Sequence, residues 1–113
     1  MAALATNVVP LTGLRIDDKF VSATAGGDDC ATGAGVALLI KNGDASSHTV
    51  TLVTPGTVNG LAIADRPVVV AAGQEAAVLV DDEYRDPSTG RASITYDAAP
   101  ATLTVCVIRL PVS

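Results

Sequence analysis

Polar and apolar residues alternate through His48, Thr49, Val50, Thr51 and Leu52, which predicts a strand with Val50 and Leu52 facing a core and the threonines facing water. The run 101–110 repeats the pattern, with Leu103, Val105 and Val107 on one face and Thr102, Thr104 and Cys106 on the other. From Val105 to Ile108 both faces turn apolar, which places that part of the strand centrally in a sheet and makes Cys106 a small buried filler. Residues 36–41 are apolar on both faces as well and end at Asn42-Gly43, a dipeptide suited to a tight turn with positive φ. A hairpin joining 36–41 to 48–54 is therefore expected, with 43–47 at its tip.

Further strands are predicted at 68–71 and 75–80, around a turn at Gly73, and at 91–96. Residues 14–23 read as one or two strands interrupted at Asp17-Asp18. After the turn at Pro55-Gly56, 58–64 reads as a crossing loop or a short irregular strand, and 81–90 as a polar loop broken by Pro87 and Gly90. The one helical alternative is 73–79, held open by its Ala and Glu content although it is short and valine-rich. Seven or eight short strands with turn signals roughly every ten residues define an all-β, single-domain β-sandwich, jelly-roll-like or Ig-like. Residues 1–12 show no period and read as a flexible N-terminal arm before a sandwich domain at 13–113. The segment 24–35, with four of the ten glycines and two acids, reads as a long flexible loop.

A chain of 113 residues supports one core. That core must be aliphatic, because Phe20, Tyr84 and Tyr96 are the only aromatics; Phe20 and Tyr96 are expected inside, and Tyr84 exposed in the acidic loop. The net charge of -5 has the wrong sign for gathering nucleic-acid phosphates. Apolar runs of about five residues are far too short for a membrane-spanning helix. Residues 1–12 lack the pattern of a secretory signal, so synthesis in a cytoplasm is expected, and with it free thiols at Cys30 and Cys106. Two cysteines and the single His48 fall short of the four ligands of structural zinc.

Reactive chemistry is sparse. His48 is the only histidine for a hydrolase triad, and at a hairpin end it reads as solvent-facing, so no catalytic residue and no enzyme are expected. Asp81, Asp82, Glu83 and Asp86 gather four carboxylates, with a second acidic spot at Asp28-Asp29; the spacing is not that of an EF-hand, and a solvated loop is the reading, with calcium on Asp81, Asp82 and Asp86 as the alternative. Gly26-Gly27 and Gly33-Ala34-Gly35 lack the Lys-Ser or Lys-Thr of a phosphate loop and read as flexible connectors. No cofactor or metal is expected. The unanchored arm, through Leu4, Val8, Val9, Pro10 and Leu11, and the loop 24–35 are the candidate partner contacts.

Lys41-Asn42-Gly43 after an apolar strand, the stretch from Thr49 to Ala62 with its Thr54-Pro55-Gly56-Thr57 centre, the Ala71-Ala72-Gly73 turn and the terminal run from Thr104 to Leu110 resemble small all-β virion proteins of tailed phages that infect actinobacteria. The resemblance spans about residues 36–110 and rests on strand and turn patterns. It implies a capsid decoration (cement) or minor capsid role on the virion exterior, with the major capsid protein as partner and a homo-oligomer, by analogy a trimer. Two other roles compete: a head-to-tail connector or tail-associated adaptor, and a carbohydrate- or host-surface-binding module built on Tyr84 and the acidic loop.

Overall fold

The computed structural model describes residues 2–110 apart from Gly56, Asn59 and Ile63. The chain is a β-sandwich, and eight strands carry it: β3 (Val21–Ser22), β4 (Asp28–Cys30), β5 (Val36–Asn42), β6 (His48–Leu52), β9 (Arg66–Val70), β10 (Glu75–Leu79), β12 (Arg91–Tyr96) and β13 (Leu103–Arg109). Five short strands accompany them: β1 (Ala2–Ala3), β2 (Thr6–Val8), β7 (Thr57–Val58), β8 (Leu61–Ala62) and β11 (Arg85–Asp86). One sheet has the order β4-β12-β6-β9 and the other β3-β13-β5-β10, with every one of these pairings antiparallel. The chain changes sheet at each step from β3 to β13 except between β6 and β9, and this is the strand order of a jelly roll. The Ig-like alternative keeps successive hairpins within a sheet and is excluded.

The hairpin expected from 36–41 to 48–54 is instead a crossing between layers: β5 is central in one sheet and β6 central in the other. Both strands are flanked on both edges by other strands, so neither has an edge left for the other. Gly43 does not take positive φ; its N–H donates to Thr102 O at 2.9 Å, and the turn is organised by the Asn42 side chain. That side chain is buried and donates from Nδ2 to Ser46 O (2.9 Å) and Val70 O (2.8 Å), while Oδ1 accepts from the Asp44 N–H. It ties the crossing loop to both sheets.

The core lies between the layers and is aliphatic, as the composition requires: Leu38, Ile40, Val50, Leu52, Val80, Ile94, Leu103 and Val105 are all at 0% exposure. Each contributes roughly 1.5–3 kcal/mol of transfer free energy, and Cys30 and Cys106 are both buried and free. Phe20 departs from expectation. It is half-buried on the outer face of the β5-β10 sheet, beside Ile16 and Leu39. This explains why β5 is apolar on both faces: its inner face meets the core, and its outer face meets the segment carrying Ile16 and Phe20. That segment is largely irregular, only Val21–Ser22 of the expected 14–23 strands forming a ladder.

The N-terminal segment is docked rather than free. β1 runs parallel to β4 on the edge of one sheet and β2 parallel to β13 on the edge of the other, so the chain steps across the open side of the sandwich. Between them Leu4 inserts into the core at 6% exposure, which removes it from the candidate partner contacts. Its N–H donates to Asp29 O at 2.8 Å. Arg91 fastens the crossing, donating from Nε to Asp29 Oδ1 (2.7 Å) and from Nη2 to Leu4 O (3.1 Å).

The loop expected at 24–35 contains β4, whose Asp28 and Cys30 are fully buried. An acidic strand is tolerated because its carboxylates are paired: Asp28 Oδ2 accepts from the Tyr96 hydroxyl at 2.7 Å and from the Thr24 N–H at 3.2 Å, and Asp29 meets Arg91. Gly27 is no flexible connector. Its φ is +105°, and a Cβ there would sit 2.6 Å from Ile94 O, so only glycine lets the backbone approach β12 this closely. Gly56, Asn59 and Ile63, within the Pro55-Gly56 turn and the 58–64 segment read from the sequence, lie outside the described residues; around them β7 and β8 pair as a small separate ladder.

Candidate interaction surface

With Leu4 in the core, the other arm residues form part of one end of the sandwich. The β2-β13 register sets Val8 beside Arg109, and the Val9 N–H donates to Arg109 O at 3.0 Å. Val8 is half exposed, Val9 is partly buried, and Pro10 and Leu11 project at a turn closed by the Gly13 N–H on Pro10 O. Leu110, also half exposed, donates its N–H to Gly35 O, and Arg109 pairs across the sheet with Val36. The topology thus gathers the end of the arm, the Thr32–Gly35 turn and the tail of β13 at one place. A recess of about 250 Å³ lined by Thr32, Gly33, Ala34, Val36 and Arg109 lies there. Leu110 was absent from the sequence-derived contacts; its position at the end of an apolar strand was the available signal.

His48 is not solvent-facing. At 7% exposure it sits between two carboxylates, Nε2 at 2.7 Å from Asp44 Oδ2 and Nδ1 at 3.0 Å from Asp97 Oδ1. Its alternation with Val50 and Leu52 already puts it on the core-facing side of β6. The hydrogen bond to Asp44, and then that to Asp97, favour the imidazolium and push the His48 pKa up. Asp44 is correspondingly held low, first by His48 and then by the Ala45 N–H. At Asp97 desolvation pushes upward, yet the backbone N–H groups and His48 outweigh it, and the carboxyl stays below its ordinary value. With both ring nitrogens engaged by carboxylates, neither is left as a base for a nucleophile. The cluster clamps the 43–47 crossing loop to the end of β12.

The acidic segment likewise serves local structure. Asp81 caps a single 3-10 turn over Asp82–Tyr84, its Oδ1 accepting from the Glu83 N–H at 3.0 Å. Asp82 Oδ1 accepts from the Thr32 hydroxyl at 2.9 Å, and Asp86 Oδ1 from the Ser88 N–H and hydroxyl, which hold its pKa down. Among the described residues no three His, Cys, Asp or Glu side chains converge as a ligand set. Tyr84, expected to be exposed, is buried, and its hydroxyl accepts from Arg66 Nε at 2.9 Å. A recess of about 410 Å³ is lined by Thr54, Asp65, Arg66, Glu83 and the largely buried Tyr84.

No protein-family model, no curated protein and no solved structure matches this chain. Among the described residues no helix is long and apolar enough to cross a membrane.

Proposed function

We propose that this chain is a structural virion protein that decorates a phage capsid and stabilises the shell by binding the major capsid protein. The observation that carries the reading is the end of the sandwich just described, where Val8, Leu11 and Leu110 project near Arg109 from a jelly-roll body whose buried Asp28 and His48 are committed to holding the fold. Exposed aliphatic side chains gathered at one end suit adhesion, and many copies binding at symmetry-related positions stabilise a shell by mass action. Val8, Val9, Pro10 and Leu11, joined by Leu110 and the Thr32–Gly35 turn, are the proposed contacts.

The test is copy number and adhesion together. Quantitative mass spectrometry of purified virions is expected to find the chain at near-stoichiometric ratio to the major capsid protein. A Leu11→Asp variant is expected to fold normally and to lose binding to shells stripped of the chain. A dozen or fewer copies per particle would make it a connector or tail adaptor instead. Absence from virions, or binding to a glycan array, would overturn the structural reading.

A further inference from the structure

We propose that β10 pairs with β10 of a second copy, antiparallel about Ala77, joining two sandwiches through one continuous sheet. The proposal does not rest on the capsid reading, and a failure to bind capsids leaves its test untouched.

One side of the sandwich is closed by the chain's own N-terminal strands, but on the opposite side β9 and β10 each have, among the described residues, a neighbour along one edge only. The two open edges are not equivalent. Asp97 N–H to Thr49 O and Val53 N–H to Ser93 O fix which residues of β6 bond to β12, and the antiparallel alternation then turns Pro67 and Val69 of β9 outward. Proline has no N–H to offer at that edge, so β9 is blunted.

On β10 the same accounting gives the opposite result. Asn42 N–H to Gln74 O and Val80 N–H to Val36 O fix the pairs 42–74 and 36–80 as hydrogen-bonded, so Ala76 and Val78 bond to β5 while Glu75, Ala77 and Leu79 turn their N–H and C=O groups outward. Three complete donor-acceptor sets therefore line an edge that holds no proline or lysine. Such an edge is a template for strand addition.

The edge is complementary to itself. A two-fold axis at Ala77 sets Ala77 against Ala77, Glu75 against Leu79 and Leu79 against Glu75. All three are hydrogen-bonded pairs, six bonds in total, with no like charges opposed. Leu79, 68% exposed in the single chain, then lies beside Glu75 of the second copy, over a recess of about 270 Å³ lined by Ile16, Phe20, Leu39 and Ala77. Glu75 of the second copy arrives next to Leu79, at a recess of about 330 Å³ that both Arg66 and Asp81 line. Arg66 makes no ion pair among the described residues, so of the two charged groups at that recess it attracts an incoming carboxylate while Asp81 opposes it.

Sedimentation and light scattering of the full chain over micromolar to near-millimolar concentration are expected to show a dimer that dissociates on dilution, with amide exchange at Glu75, Ala77 and Leu79 slowing as the dimer forms. Ala77→Pro removes the central outward donor without touching the ladder to β5, and is expected to give a monomer with an unchanged far-UV spectrum. Leu79→Glu and Leu79→Lys lose the same apolar contact but place opposite charges against Glu75. Leu79→Glu is expected to dimerise on the order of tenfold more weakly than Leu79→Lys. A monomer at every concentration overturns the proposal, as does a trimer, which this two-fold contact cannot build, or a dimer indifferent to Ala77→Pro and to the charge at position 79.

Discussion

Leu4→Ala measures whether the N-terminal segment is part of the folded body. The side chain is 6% exposed within the core cluster, so truncation removes three buried carbons, worth about 2.4 kcal/mol at roughly 0.8 kcal/mol each. A residual cavity adds to this, although the segment lies at the margin of the sandwich and can close partly over the gap, which keeps the expected loss at about 2–3 kcal/mol. With an unfolding entropy of roughly 2.1 cal/mol/K per residue, the melting temperature should fall by about 10 °C. Leu11→Ala is the control: Leu11 is fully exposed seven residues further on, and its truncation should change stability by no more than about 0.5 kcal/mol. Urea unfolding followed by far-UV circular dichroism reads both. Equal midpoints for the two variants would mean that the segment is free of the core, and the account of how this side of the sandwich is closed would fail. By the same reasoning, deleting residues 2–12 perturbs stability as well as adhesion, because it removes both edge strands and Leu4.

Gly27→Ala should cost about 3 kcal/mol or more, since it combines a positive φ with a Cβ driven against Ile94 O; a melt within 2 °C of the parent, on the order of 0.5 kcal/mol, would contradict that contact. His48 has a folded pKa raised above its unfolded value of about 6.5, so its contribution is fully present below that pH and is lost as pH rises through the folded value. Urea midpoints of the parent should therefore fall relative to His48→Gln on going from about pH 6 to pH 9, and parallel profiles would refute the clamp. Asp44 and Asp97, held low, lose their contributions at the acid end instead, as pH drops from about 4 through their folded values. Cys30 is fully buried and desolvation pushes its thiol up to about 11, so native protein should not react at this position with a thiol reagent at mildly alkaline pH, whereas urea should expose it at once; rapid native labelling of Cys30 would show that β4 opens.

Period-two patterning by itself determined the layer architecture and much of the core: it placed Val50, Leu52, Leu103, Val105 and Val107 inward and delimited 91–96 as a strand, because a strand with one face on a core must alternate. The same alternation puts His48 on the core-facing side, whereas its place beside a turn suggests solvent; its burial depends on Asp44 and Asp97, which only the folded chain brings to it. Sheet partition was not readable, because residues 36–42 and 48–52 carry equally good strand patterns whether they pair with each other or cross between layers. Only the competition of all strands for edges decided that they part, with Asn42 holding the crossing. Pairing of charges was equally invisible along the chain: Asp28-Asp29 and the glycines before them look like loop until Tyr96 and Arg91, more than 60 positions away, neutralise the cost of burying acids. The N-terminal segment has no period because each short strand joins a different sheet. Local sequence records which faces of a strand are apolar; which edges meet, and which charges they bring together, depends on contacts that exist only once the chain has folded.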